Sequence, residues 1–175
     1  GEWVELTKLH GVENRTLVSI DEIPKHVQEA LISIEDERFE SHHGVDWKST
    51  ARAILGKLTG TSTRGGSTIT QQVVKNMTGD NEVTIKRKVT EIFRALRLEK
   101  NYSKDEILET YLNLVYFGNG CNGIEAAAES YFGKTVGELT IAEAASIVGI
   151  TQFPYKYDPS RGDWYREQNK ERQLT

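Results

Sequence analysis

Apolar residues recur at helical spacing through most of this chain. Behind Pro24, which suits a first helical turn, Val27, Ala30, Leu31 and Ile34 fall at i, i+3, i+4 and i+7 and predict a helix running to about Arg38. Trp47, Ala51, Ile54, Leu55 and Leu58 line one side of a second amphipathic segment, with Lys48, Arg52 and Lys57 interleaved, and that segment stops at Gly60. Thr68 with Gln71 three residues on reads as a capping box that opens the next helix. Val89, Ile92, Phe93 and Leu96 make the apolar face of a helix over about 84–99, and Ile107, Leu108, Tyr111 and Leu112 carry the period over about 104–114. The turn Gly118-Asn119-Gly120 leads to Ile124, Ala127, Ala128 and Tyr131, and a last strong helix covers about 140–150. Ahead of these, Trp3-Val4-Glu5-Leu6 and Thr16-Leu17-Val18-Ser19-Ile20 read as short strands. No segment repeats. The expected fold class is therefore mainly α: one helical domain with short connections, polar except around Tyr116-Phe117, and at most short N-terminal strands.

Composition narrows this further. At 175 residues, 37% hydrophobic and 27% charged, with 15 Gly and only 3 Pro, the chain can bury one core and is neither disordered nor low in complexity. Its single cysteine, Cys121, excludes an internal disulfide framework and a multi-cysteine zinc site. Neither a run of about 18 apolar residues nor a basic leader with an apolar core is present, so the chain as given is expected to be soluble and without its own anchor or export signal. The net charge of −4 conceals an asymmetry: residues 47–100 carry eleven basic and four acidic side chains, and are +7, against −11 for the remainder. That middle stretch is where an anion would bind, the alternative being a solvated charged face. Nucleic acid is not an expected partner, because the basic stretch lacks interleaved aromatics and the whole chain is acidic.

Three constellations could carry chemistry. In Ile34-Glu35-Asp36-Glu37-Arg38-Phe39, helical spacing from Leu31 sets Glu35 at the margin of the apolar face, where partial desolvation suits a general base or acid. The alternative is a solvated acidic helix end. His42, in Ser41-His42-His43-Gly44, lacks metal-site spacing, which favours positioning or a core hydrogen bond over zinc. In Gly65-Gly66-Ser67-Thr68, glycines ahead of a helix N-terminus expose N–H groups to an anion, with hydroxyls as added donors. It is not a nucleotide-binding P-loop, because the lysine, Lys75, stands nine residues beyond Gly66. A capped helix with a glycine hinge is the alternative there. In Arg87-Lys88-Val89-Thr90-Glu91, with Arg94 beyond, one carboxylate and three cations share a helical stripe; they can hold a diphosphate or a metal, or form an exposed ladder of ion pairs.

Together these segments resemble a known family. Glu35-Asp36-x-x-Phe39-x-x-His42-x-Gly44, Gly65-Gly66-Ser67-Thr68-Ile69-x-Gln71-Gln72-x-x-Lys75-Asn76, Arg87-Lys88-x-x-Glu91, Ile107-Leu108-Glu109-x-Tyr111-Leu112-Asn113 with Tyr131-Phe132-Gly133-Lys134, and Gln152-x-Pro154-x-x-Tyr157-x-Pro159 are similar to the five ordered motifs of the peptidoglycan glycosyltransferases, glycosyltransferase family 51. That family includes the catalytic domain of class A penicillin-binding proteins and the monofunctional transglycosylases. The resemblance covers residues 19–160 or so, and five motifs in order are far more specific than any one.

The resemblance implies a lysozyme-like helical fold with a smaller membrane-facing jaw, and an inverting transferase that polymerises lipid II into β-1,4-linked glycan with release of undecaprenyl diphosphate. It implies residues 1–175 as a single excised domain with a truncated C-terminal end, separated from an N-terminal membrane helix and, in a bifunctional rather than a monofunctional parent, from a C-terminal transpeptidase, and a location at the extracytoplasmic face of the bacterial cytoplasmic membrane. By the same resemblance Glu35 is the general base and Glu91 the second carboxylate, assisting the leaving diphosphate through basic neighbours or a divalent cation, Mg2+ or Mn2+; no organic cofactor is implied. Lys75, Arg87 and Lys88 fall where the family binds diphosphate, and Ser67, Gln71, Gln72 and Tyr131 where sugars or phosphates are contacted. Asp36, His42, Thr68 and Asn76 complete the implied substrate-binding set. The segment from Trp47 to Leu58 suits a membrane interface under this reading, and a core helix explains its period equally well.

Two positions depart from the family pattern. Arg64 stands where glutamine is more usual and Val83 where an arginine usually precedes Arg87, which removes one diphosphate contact that Lys86 or Arg64 would have to replace. Two rival classes weigh less. A glycan hydrolase also uses a glutamate beside a helical lobe but has no use for cations around a diphosphate, and a non-catalytic membrane module has no use for Glu35 and Glu91.

Overall fold

The computed structural model describes residues 16–60, 65–79 and 82–174, apart from the side chains of Lys57 and Leu58. The strand expected at Trp3–Leu6, the loop residues 61–64 with Arg64, and the side-chain roles suggested for Lys57 and Leu58 lie outside the described residues. The helices are α1 (Lys25–Glu35), α2 (Trp47–Thr59), α3 (Ile69–Thr78), α4 (Ile85–Asn101), α5 (Lys104–Leu114), α6 (Ile124–Phe132), α7 (Ile141–Ile150), the single turn α8 (Pro154–Tyr157) and α9 (Asp163–Gln173). No strand forms among the described residues; one isolated antiparallel bridge joins Tyr116 to Asn122. The fold is mainly α, as the periodicity requires.

The core gathers where the predicted apolar faces of α1, α3, α5, α6 and α7 meet. Val27, Leu31, Phe39, Ile69, Ile107, Tyr111, Leu112, Ile124 and Ile147 have no more than 1% of their surface exposed, and each such aliphatic or aromatic side chain contributes roughly 1.5–3 kcal/mol of burial. α1 packs on α7, and α3 packs between α5 and α4.

Three expectations change in the fold. Residues 16–19 form no strand; the side chain of Asn113 holds this segment, accepting from Val18 N at 3.0 Å and donating to Val18 O at 2.8 Å. α1 ends at Glu35 rather than near Arg38, because Asp36 leaves helical geometry (φ −159°, ψ 68°) so that its carboxylate can reach Ile69 N on α3. The third change concerns α4. Its apolar face looks outward, with Val89 45% and Phe93 67% exposed, while Glu91 and Ala95 turn inward.

Glycine permits the close approach behind α4. Gly44 has φ +87°, and a Cβ there would sit 2.7 Å from the Ala95 carbonyl oxygen, so the backbone of residue 44 lies directly against the helix. α2 shows the same inversion as α4: Trp47, Ile54 and Leu55 are 56–62% exposed, which rules out the core-helix alternative for this segment, while Ala53 faces the loop at Gly66. Its N-terminus is capped by Asp46, which accepts from Lys48 N and Ser49 N, and it ends at Gly60 in the left-handed conformation, where the sequence predicts a stop.

Candidate functional site

A cleft of about 680 Å³ opens between the end of α1, the loop leading into α3, α3 itself, the first half of α4 and the end of α7. Local sequence builds each wall. The Thr68–Gln71 capping box forms as predicted, Gln71 N donating to Thr68 Oγ1 at 3.2 Å and Thr68 N donating to Gln71 Oε1 at 3.0 Å. Thr68 Oγ1 also donates to Gly44 O at 2.7 Å, tying the α3 N-terminus to the loop behind α4. Thr68 and Gln71 are each 1% exposed, so they build the wall rather than present free donors to a ligand.

Glu35 stands at the last turn of α1 and lines the cleft. Its Oε2 accepts from Gln72 Nε2 at 3.0 Å and its Oε1 from Thr151 Oγ1 at 2.6 Å. Behind Gln72, the buried Tyr111 hydroxyl donates to Gln72 Oε1 at 3.2 Å. Burial, then the charge of Glu35, pushes the Tyr111 phenol well above its ordinary range, so it stays protonated. An ionised Glu35 can only accept, so the Gln72 amide turns its NH2 group toward it and its oxygen toward the phenol, which is protonated and can donate.

Asp36, next along, is buried and structural in its contacts. Its Oδ2 accepts from Ile69 N at 2.9 Å and lies 2.9 Å from His42 Nε2. Because Gly44 N donates to His42 Nδ1 at 3.2 Å, the proton of the neutral ring sits on Nε2 and points at Asp36. His42 lies outside the cleft lining, and the contacts it makes are those of the positioning alternative. Beyond it, Lys104 donates to His42 O and to Glu99, which also accepts from Thr70 Oγ1 at 2.6 Å.

The third constellation is not an exposed ladder. Glu91 is only 5% exposed; Arg87 Nη1 donates to it at 2.5 Å and Lys88 Nζ donates to its other oxygen. Lys88 Nζ also donates to Ser67 Oγ at 2.8 Å, joining α4 to the glycine loop. Arg94 is exposed and is not among Glu91's partners. Lys75 and Asn76 line the cleft with exposed side chains, and Lys75 has no carboxylate partner among the described residues. Val83, where an arginine is usual, is fully exposed.

Tyr131 is placed apart from these groups. It lies outside the cleft lining; its hydroxyl donates to Phe117 O at 3.0 Å, and burial followed by the nearby Asp158 carboxylate pushes the phenol far up. It braces the turn at Gly118, whose Cβ would meet that hydroxyl at 3.0 Å.

Several residues of the site escaped the sequence reading. Thr151 follows α7 and carried no signal beyond standing next to Gln152. Arg172, from α9, lines the cleft, and its Nε is buried with no hydrogen-bond partner, as is Arg87 Nε. Arg38 and Asp46 form a bidentate pair at the cleft edge, with the Arg38 Nη2 to Asp46 Oδ1 contact at 2.5 Å. Burial alone would raise the Asp46 carboxyl, but hydrogen bonds from Ser49 and Arg38 with the Arg38 charge outweigh it and hold the group at about 2.

A divalent cation does not fit as a protein-held group. Both oxygens of Glu91 are taken by cations, and no group of three or more His, Cys, Asp or Glu side chains converges among the described residues. The cleft can instead do two things at once: hold a carboxylate base in a fixed orientation and present cationic and N–H donors to an anion.

The sequence matches the family described as Transglycosylase over residues 3–175, and the chain belongs to that family. It is 48% identical over 164 residues to penicillin-binding protein 1F of Bacillus subtilis, covering 93% of this chain and 22% of that protein. It is 50% identical over 151 residues to penicillin-binding protein 1A/1B of the same organism, covering 85% of this chain and 16% of that protein. Against a monofunctional glycosyltransferase of Staphylococcus aureus it is 44% identical over 159 residues, 86% of this chain and 59% of that protein. The chain thus spans less than a quarter of the penicillin-binding proteins it matches.

Proposed function

We propose that this domain is a peptidoglycan glycosyltransferase: it joins lipid II units into β-1,4-linked glycan with inversion at the anomeric carbon and releases undecaprenyl diphosphate. The observation that carries the reading is the meeting, in one cleft, of Glu35 in a fixed hydrogen-bonded pose with the cationic group of Lys75, Arg87 and Lys88.

Glu35 takes the proton of the acceptor sugar's 4-hydroxyl as that oxygen attacks the anomeric carbon, a contribution of about 10² to 10⁴ in rate for a positioned base. The bond from that carbon to the diphosphate breaks with its electron pair leaving on the diphosphate. Lys75 meets this charge directly, and Arg87 and Lys88, already oriented by buried Glu91, meet it without reorganising.

A membrane-bound substrate accounts for the outward apolar faces. Trp47, Ile54 and Leu55 on α2 and Ile85, Val89 and Phe93 on α4 are exposed beside Lys48, Arg52, Lys86 and Arg94, the composition of a surface that lies in an anionic interface. No described helix is long and apolar enough to cross a membrane. We assign the working position to the extracytoplasmic face, where lipid-linked precursor and growing wall meet. Incubation with lipid II tests the reading: polymer that a glycan hydrolase degrades is expected. Unchanged lipid II, or cleavage of preformed glycan instead, rejects it.

A further inference from the structure

Two contacts at the end of α7 do not balance in protons. Thr151 Oγ1 lies 2.6 Å from Glu35 Oε1 and 2.9 Å from the carbonyl oxygen of Val148. When Glu35 is ionised both neighbours are acceptors, yet a threonine hydroxyl has one proton to give. Three oxygens in a row form two hydrogen bonds only if they share two protons. The missing one arrives when Glu35 becomes a carboxylic acid: Oε1–H then donates to Thr151 Oγ1, which turns its own proton to Val148 O. That carbonyl has capacity for it, accepting otherwise from Thr151 N at 3.2 Å and holding two lone pairs.

The other carboxylate oxygen faces different chemistry. Oε2 is held by the Gln72 amide NH2, a group with no lone pair to receive a proton, and the Tyr111 hydroxyl donates to the other end of that amide. One oxygen of Glu35 is thereby kept as an acceptor, and the other is prepared to carry a proton.

We propose that Thr151 is a positioning residue that directs the reacting proton to Oε1 of Glu35 and stabilises the carboxylic acid as it forms. The inference rests on the reading of Glu35 as general base. The acceptor O–H bond breaks, its proton passes to Glu35, and the freed electron pair makes the bond to the anomeric carbon while the diphosphate departs with its own pair. The new O–H of Glu35 turns to Thr151, and the base resets by losing the proton to water. Because the second hydrogen bond forms only after the proton has reached Glu35 and its O–H has turned, it stabilises the protonated base that the step produces and opposes return of the proton to the sugar.

The test compares Thr151→Val, Thr151→Ser and Glu35→Gln in lipid II polymerisation, with thermal unfolding of each. Thr151→Val preserves shape and removes the hydroxyl; it is expected to lower kcat about 10- to 100-fold, with KM for lipid II and the melting temperature unchanged. Thr151→Ser should restore kcat. Wild-type kcat in Thr151→Val overturns the inference, as does a loss shared between kcat and KM with a lowered melting temperature that serine does not recover. If the valine variant does not fold, Thr151→Ala is read by the same criteria. An active Glu35→Gln brings down the general-base reading and this inference with it; an inactive Glu35→Gln beside a fully active Thr151→Val defeats the Thr151 inference alone.

Discussion

Replacing Glu91 by glutamine asks whether the cations of the cleft are placed by a buried charge. Glu91 is 5% exposed, and its partners Arg87 and Lys88 are 17% and 34% exposed, so the pair is largely removed from water on the glutamate side and partly on the other. Removing one member of a fully buried pair costs about 3–5 kcal/mol, and an exposed pair is worth under about 1 kcal/mol. With Lys88 a third exposed and the amide still able to accept one hydrogen bond, about 2 kcal/mol is expected for Glu91→Gln, a fall of roughly 4–8 °C in melting temperature for a chain of this size. Activity should fall further than stability. Arg87 and Lys88 lose the carboxylate that orients them, and the loss of preorganised charge is expected to lower kcat by about 10² or more. Circular dichroism melts and initial rates of lipid II polymerisation, both at low and at high salt, measure the two effects; a buried pair keeps its stabilising contribution in salt that screens a surface pair. A melting temperature and kcat both within error of wild type would falsify the argument and return Arg87, Lys88 and Glu91 to an ordinary surface ladder.

Other consequences are measured separately. Lys75→Ala, which removes a cleft cation that has no carboxylate partner among the described residues, should lower kcat by about 10² without altering the melting temperature, and weaken binding of a lipid diphosphate measured by titration calorimetry. Asp46 has a folded value near 2, below its ordinary 3.8, so its ionised form contributes stability above about pH 4 that is lost as pH falls toward 2. After allowance for Arg38, a third exposed, that contribution is about 1–2 kcal/mol, and Asp46→Asn should erase the difference seen in acid unfolding curves between pH 4 and 2. Ile54→Glu with Leu55→Glu should reduce sedimentation with anionic vesicles and polymerisation in bilayers, while helicity and activity on a short-chain soluble analogue persist. Unchanged sedimentation of that variant would remove the membrane role from this exposed face.

What could be read without coordinates was local. The Thr68–Gln71 cap, the stop at Gly60 and the helices over 104–114 and 140–150 depend on residues three or four apart, and a helix forms them before anything else packs. Glu35 at the margin of an apolar face, and Arg87 and Lys88 within reach of Glu91, follow from the same short spacing. The direction in which α4 faces does not. Its stripe of Val89, Phe93 and Leu96 has the period of a buried face, but periodicity defines a face without saying what covers it. Glu91 and Ala95 take the interior side: Arg87 and Lys88 satisfy the buried Glu91, Lys88 also ties the helix to Ser67, and Gly44 lets the backbone close against Ala95. The partners of Glu35 were equally out of reach, since Thr151 is 116 residues away and Tyr111 acts through Gln72 across 39. Such contacts carry no periodic signature; they exist only after α1, α3, α5 and α7 have packed on one core, which is also why spacing alone did not bring Thr151 and Arg172 to the cleft.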